Sequence, residues 1–429
     1  MIKLISLFLI AFFSALTAYG AESSCVLCHL NKDMVPDTTI AAAFLAGDIH
    51  RTMGLGCNDC HGGDPTRGFK EGDPALAMDP GKGYKPPPDK AGVPAFCARC
   101  HSDILYMKKF NPTLATDQFD LYKTSVHGQL LFAKQDTKVA VCSDCHHAHG
   151  ILPASDTRSP VYHQNIPATC AACHAQPQYM RGYVYKGKPI PTSQFDEYSR
   201  SVHGALVLQK DDKSAPACNN CHGNHGATPP SLASVSAACG DCHANNRDFF
   251  DASPHKDAFK ELGYPDCEQC HGNHLILTAT DALIGTADSA VCIQCHDQGT
   301  PGYDAAAKMR ASIDSLKIAI AIAESSLTKA ERKGVESGQA RFDLNPAKDN
   351  LIRVRSVQHT ADLKQVAEIT TPGIKKAEEV QKTALAALGD LKIRRIGLGM
   401  SIILVLFVTY ALWRKIKQVD SETDFEVKK

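Results

Sequence analysis

Three things are scarce in this chain of 429 residues, and each scarcity excludes something. Net charge is absent: 46 basic residues offset 46 acidic ones, and no basic patch is interleaved with aromatics, so nothing points to a nucleic-acid partner. Large aromatics are few, at 7% with a single Trp. A conventional core for the nearly 300 residues that carry the cysteines would need more of them, so something other than side chains must fill that interior. Cysteine outside one motif is missing altogether. All 18 cysteines belong to Cys-x-x-Cys-His, read as Cys25-Cys28-His29, Cys57-Cys60-His61, Cys97-Cys100-His101, Cys142-Cys145-His146, Cys170-Cys173-His174, Cys218-Cys221-His222, Cys239-Cys242-His243, Cys267-Cys270-His271 and Cys292-Cys295-His296.

This spacing has a chemical reason. Two thiols two residues apart reach the two vinyl groups on one edge of a porphyrin, and the next residue then lies under the iron as the proximal axial ligand. Composition alone would place about 0.03 such motifs in a chain like this. Structural zinc also uses Cys-x-x-Cys pairs but needs no His after each, and disulfides need neither the fixed gap nor the His. The expectation is nine covalent haems c, one per roughly 30 residues from Cys25 to His296, with porphyrin supplying much of the interior.

Residues 1–20 read as a secretory signal: Lys3, an apolar run from Leu4 to Leu16, and Ala18-Tyr19-Gly20 before Ala21. That run is short for an uncleaved span, and no lipobox precedes Cys25. A second apolar run, Ile396 to Trp413, has 18 residues without a charge, enough for a transmembrane helix, with Tyr410 and Trp413 at one end as interfacial aromatics. Basic residues flank both ends, so the exported N-terminus sets the orientation: cysteine region on the periplasmic face of the cytoplasmic membrane, single pass, residues 414–429 cytoplasmic.

Gln118-Phe119-Asp120-Leu121-Tyr122-Lys123-Thr124-Ser125-Val126-His127-Gly128 recurs 76 residues later as Gln194-Phe195-Asp196-Glu197-Tyr198-Ser199-Arg200-Ser201-Val202-His203-Gly204, eight of eleven residues identical. His127 and His203 each stand 15 residues before a motif cysteine. Ile49-His50 before Cys57 and Ser253-Pro254-His255 before Cys267 are shorter echoes. The unit is a His-bearing segment followed by two haem motifs, a stacked-repeat pattern. Residues 62–95 form a Gly/Pro-rich connector in which Lys85-Pro86-Pro87-Pro88-Asp89-Lys90 favours an extended segment. Beyond about residue 302 the pattern changes to helical periodicity. Ile313, Leu316, Ile320, Ala323, Leu327 and Ala330 share one face. A second helix over about 347–369 carries Ile352, Ser356, His359, Leu363 and Val366. Pro372-Gly373 is expected to end it, and a third helix with Ala377, Val380, Ala384, Ala387 and Leu391 leads into the membrane run.

Nine irons need nine distal ligands. Ten histidines are not proximal: His50, His127, His147, His149, His163, His203, His225, His255, His274 and His359. His50, His127, His203 and His255 precede alternate motifs. His149, His225 and His274 stand three residues after a proximal His, too close to cap their own haem but placed to reach a neighbour. No repeat supports His147 or His163, and His359 falls on a helix stripe.

The Ser-Val-His-Gly segments, the Cys-x-x-Cys-His-x-x-His motifs, Asp156-Thr157-Arg158-Ser159-Pro160-Val161 and Asn165-Ile166-Pro167-Ala168-Thr169-Cys170 together resemble the multihaem cytochromes c of anaerobically respiring bacteria. The nitrite reductase and hydroxylamine oxidoreductase group is a more distant likeness. The resemblance covers residues 25–300. It implies bis-His haems in a closely spaced chain, passing electrons between a quinol-oxidising or cytochrome b-type membrane complex and periplasmic acceptors such as other cytochromes. The chain departs from the nitrite reductases in having no Cys-x-x-Cys-Lys motif. A hydroxylamine-type enzyme requires a haem without a distal ligand, which counting histidines does not exclude.

The expected fold is therefore mainly α with extensive loops. It comprises a signal peptide (1–20), a haem-stacked nonahaem domain (21–300), a long-helix hairpin or bundle (301–395), a transmembrane helix (396–413) and a cytoplasmic tail (414–429). The expected role is an anchored electron relay with no catalytic residue. The alternative is a multihaem oxidoreductase of a small nitrogen or sulfur compound. A purely structural or haem-storage role fits less well, since the repeat supplies both axial ligands.

Overall fold

The computed structural model describes residues 23–228 and 232–426, so residues 1–20, read above as a signal peptide, lie outside it. The chain is mainly helical, and among the described residues the only sheet is a two-stranded antiparallel ribbon pairing Val184–Tyr185 with Lys188–Pro189. It divides into two units, Met1–Ala238 with His271–Thr278, and Cys239–Cys270 with Ala279–Lys429.

The first unit is built of short helices joined by loops. Its side-chain core is small: Tyr122, Leu131, Val139 and Val141 form its one buried apolar cluster among the described residues. The repeated segment folds the same way twice, as a helix pair Gln118–Thr124 and Val126–Lys134, then Gln194–Arg200 and Val202–Lys210. The identical residues explain this. Ser125 sits between the two helices in extended backbone; its hydroxyl donates to the Tyr122 carbonyl at 2.6 Å and accepts from Gly128 N at 2.9 Å. Ser201 makes the same two bonds, to Tyr198 and Gly204, at 2.7 and 2.9 Å. The hydroxyl thereby caps the second helix. Glycine is required after the histidine because a Cβ at Gly128 or Gly204 would overlap the Tyr122 or Tyr198 carbonyl. Tyr122 and Tyr198 then bond the carbonyls of Ala140 and Pro216, both at 2.9 Å, which ties each helix pair to the segment entering the next cysteine motif.

The second unit is dominated by long helices. Thr300 caps the helix Pro301–Arg332, with Pro301 at its first turn. The stripe Ile313, Leu316, Ile320, Ala323, Leu327 and Ala330 is buried along its whole length. Its partners are Leu344, Ala347, Ala377, Val380 and Ala384 toward one end, and Val354, Val357 and Val366 toward the other.

Two expectations here are corrected. The second helix runs Asn345–Val357, not to 369, and buries Ala347, Val354 and Val357, while Ile352 is 65% exposed. The chain turns instead at a short 3-10 segment, Gln358–Thr360, followed by Ala361 at φ +54°. Nor does Pro372-Gly373 end a helix: one helix spans Leu363–Glu426 with Pro372 inside it. Gly373 serves packing, since a Cβ there would lie 2.8 Å from Leu316 Cδ1 and 3.2 Å from Asn350 Cβ. This helix is long and apolar enough to cross a membrane, and its large apolar side chains between Ile396 and Trp413 are all exposed.

Candidate functional site

The cysteine motifs take alternating local forms. Cys57–His61, Cys142–His146 and Cys218–His222 are single-turn helices entered from extended backbone. In each, the residue before the second cysteine returns to the backbone ahead of the first: Asp59 to Gly56 N at 2.6 Å, Asp144 to Val141 N at 2.8 Å, Asn220 to Ala217 N at 2.9 Å. In the intervening motifs, His101 and His174 close longer helices, Val93–His101 and Ile166–His174, each with proline in its first turn. Either way the two cysteines and the histidine lie within about one helical turn.

Within each unit, neighbouring motifs lie close together. In the first unit the thiols of Cys25 and Cys57, Cys97 and Cys142, and Cys170 and Cys218 are hydrogen-bonded, and in the second unit those of Cys239 and Cys267. Between these pairs, Cys60 feels the charge of Cys100, Cys145 that of Cys170 and Cys173, and Cys270 that of Cys292 and Cys295. The first six motifs thus form an unbroken row in sequence order.

Among the described residues, at least six of the motif imidazoles face a second imidazole. The centroid separations are 6.0 Å for His50–His101, 6.3 Å for His61–His149, 6.1 Å for His127–His174, 6.1 Å for His146–His225, 6.0 Å for His222–His274 and 6.1 Å for His255–His296. Ordinary aromatic contacts scatter over roughly 4.5–7 Å. Metal–imidazole bonds of about 2.0–2.1 Å, plus about 1.2 Å from ligating nitrogen to ring centre on each side, would place two imidazoles on opposite sides of one metal about 6.5 Å apart. The observed pairs lie a few tenths of an ångström inside that distance.

The pairs fall into two classes. His149, His225 and His274, each three residues after a proximal His, face the proximal His two motifs earlier, with ring planes within 20°, 8° and 14° of parallel. His50, His127 and His255 skip the motif that follows them and face the one after, with planes inclined at 81°, 53° and 59°. Burial, the largest influence on each, lowers the pKa of His61, His101, His127, His146, His149, His174, His225, His255 and His274, which favours the neutral form that ligates a metal. Among the described residues no three His, Cys, Asp or Glu side chains converge on one point, so these are two-donor arrangements.

The other candidates differ. His203 occupies the position in Val202–Lys210 that His127 has in its own repeat. His359 lies in the 3-10 segment with Nδ1 bonded to the Ser356 carbonyl at 2.8 Å. His147 ends the Cys142–His146 turn at φ +65° with its side chain exposed, and His163 Nε2 bonds the Ala215 carbonyl at 3.0 Å; neither faces a proximal imidazole. Among the described residues, no second imidazole stands opposite His29.

One residue that matters here was missed by sequence reasoning. Asp48, 2% exposed, accepts from His50 N at 2.9 Å, from Ile151 N at 3.0 Å and from His50 Nδ1 at 3.1 Å. Its only sequence signal is an acidic residue two before a candidate histidine. No family model, curated protein or solved structure matches the chain.

Proposed function

We propose that the chain is a membrane-anchored, nonahaem c-type cytochrome whose bis-histidine sites relay electrons along the row of motifs. The observation that carries this reading is the set of six opposed imidazole pairs, 6.0–6.3 Å apart, each with one member from a Cys-x-x-Cys-His turn. When bound, haem supplies one-electron redox chemistry tuned by its axial ligands and their hydrogen bonds. The protein's part is to hold the attachment cysteines of successive motifs side by side, to present neutral imidazoles from both faces, and to substitute cofactor for the side-chain core that the first unit largely lacks. Two axial imidazoles leave no position for a substrate, so these sites carry electrons and do not turn over nitrite, hydroxylamine, sulfite or tetrathionate.

The motif chemistry implies attachment outside the cytoplasm. With the apolar stretch of the Leu363–Glu426 helix as the anchor, the haem region stands on the periplasmic face, where a quinol-oxidising or cytochrome b-type complex and other cytochromes are its partners. A disulfide reading would use the four cysteine contacts but leave the imidazole pairs and the remaining cysteines without a role. The deciding measurement is the intact mass of protein matured in a host competent for c-type haem attachment. Nine haem additions are expected, together with a predominantly low-spin oxidised spectrum. A shortfall of two or more haems, or disulfides between motif cysteines, overturns the reading.

A further inference from the structure

We propose that the site at Cys25-Cys28-His29 takes a small exogenous ligand in the position opposite His29, where other sites present an imidazole. This rests on the nonahaem reading above.

All 19 histidines of the chain fall within the described residues, so no unseen imidazole is left to serve this site. His29 is half-buried at the end of the helix Ser24–Leu30, in the unit where five proximal histidines have a facing partner. Those partners are committed elsewhere: His50 to His101, His149 to His61, His127 to His174, His225 to His146 and His274 to His222. His149 is near enough for its imidazole to feel the charge of His29, yet its ring faces His61.

A second, independent observation is position. Cys25 is hydrogen-bonded to Cys57, whereas the second motif has a neighbour on each side, Cys25 beside Cys57 and Cys100 near enough for its charge to act on Cys60. The first motif is thus the end of the row, where one side of the site is not taken by another motif. On the attachment side Ser24, Val26 and Cys28 are buried, so the proximal half of the site is built into the fold.

An iron with one protein imidazole and no second strong donor binds small π-accepting molecules when reduced. The class of ligand is therefore a neutral diatomic, with carbon monoxide as the probe. The competing side chains are His147, exposed and two residues from His149, and methionine. Met53 and Met78 are 48% and 37% exposed, which leaves the half-buried Met34 as the one to test.

The experiment uses full-length holoprotein whose haem count has first been fixed by intact mass; fewer than nine haems would fail the underlying reading and not this one. Reduced protein is titrated with carbon monoxide, and the oxidised protein is examined for high-spin haem by electron paramagnetic resonance. Uptake of about one carbon monoxide per nine haems and one high-spin component are expected. The paired change Cys25→Ser with Cys28→Ser should remove one haem and all carbon monoxide binding, whereas Cys97→Ser with Cys100→Ser should remove one haem and leave binding intact. Nine low-spin haems with no uptake overturn the proposal, as does uptake that survives the Cys25 and Cys28 changes. A thioether-ligated signature lost in Met34→Ala also overturns it. Should the cysteine variants fail to mature, the spin state and uptake of the unaltered protein still decide.

Discussion

Replacing Asp48 with asparagine removes one full negative charge from beside an axial-ligand candidate and changes almost nothing in volume. Asp48 Oδ1 lies 3.1 Å from His50 Nδ1, and the carboxylate is 2% exposed, so the charge is poorly screened. With Nε2 on the metal, Nδ1 carries the proton and donates it toward the carboxylate, which makes the ligand a stronger donor. Across the ring and one metal–nitrogen bond, the charge stands roughly 7 Å from the iron position. At an effective dielectric constant near 20 this gives about 2 kcal/mol of preference for the oxidised iron. For a one-electron couple that is about 100 mV. Asp48→Asn should therefore raise one midpoint potential by about 100 mV and leave the others in place. The affected haem can be recognised without assigning all nine. The His50–His101 planes stand at 81°, whereas three other pairs lie within 20° of parallel. Near-perpendicular axial planes give a highly anisotropic low-spin resonance, and parallel planes a rhombic one. Redox titration followed by electron paramagnetic resonance should show the anisotropic signal moving. Because Oδ2 also accepts from Ile151 N, the substitution should cost about 1–2 kcal/mol of stability as well. An unmoved anisotropic component, or one that shifts to lower potential, would refute the assignment of Asp48 as the tuning charge.

Other outcomes test other parts of the structure. His127→Ala should convert one haem from low spin to high spin and create a carbon monoxide site, read by absorption of the reduced protein; an unchanged spectrum rejects the His127–His174 pair. Asp281 is held down to about 2 first by its hydrogen bonds from Arg355, at 2.9 and 3.0 Å, and then by Lys317 at 2.8 Å. Because its folded pKa is depressed, its stabilisation is complete above the unfolded value near 4 and is lost as pH falls toward 2; Asp281→Asn should cost about 1–2 kcal/mol near neutral pH, after discounting for the half-exposed Arg355, and flatten that acid dependence in thermal melts. A stop after Lys392 should release a soluble periplasmic protein, and a reporter fused after Lys429 should be active only in the cytoplasm; membrane retention of the truncated form would mean that residues 1–20 remain as an anchor.

What the sequence could show depended on the range of the signal. The stripe from Ile313 to Ala330 is a local periodicity, and each of its positions is buried as the spacing requires. The neighbouring breaks were not legible in the same way. Proline followed by glycine ordinarily marks a turn, but Gly373 is small because Leu316 and Asn350 approach it, a fact that belongs to two other helices. The real break, Ala361 at φ +54°, carries no residue type that announces a left-handed conformation. The stripe through Ile352 and Ser356 failed because two apolar faces compete on that helix, and only packing against Met309 and Ile313 selects Val354 and Val357.

The cysteine motifs are legible because the two cysteines and the histidine of each are confined to a few consecutive residues, the spacing that the proposed haem attachment would use. Ligand pairing is a different problem, since the two imidazoles of a site come from motifs one or two apart. The repeat contains half of the answer: Tyr122, Ser125 and Gly128, with their counterparts Tyr198, Ser201 and Gly204, hold the histidine-bearing helix and tie it to the next cysteine turn. Their spacing in the sequence says that the histidine is held, not what it faces. Facing is set by alternation. The single-turn motifs place His61, His146 and His222 opposite the histidines that follow later single-turn motifs, and His101 and His174, which close longer helices, meet the upstream histidines. The second to sixth motifs are consequently joined both to a sequence neighbour through cysteine and to a more distant segment through histidine. A row joined at two spacings resists bending at any single link, so the separations between successive sites stay fixed while loops move. On the proposed reading, that rigidity would suit electron relay, because transfer rates fall steeply with distance.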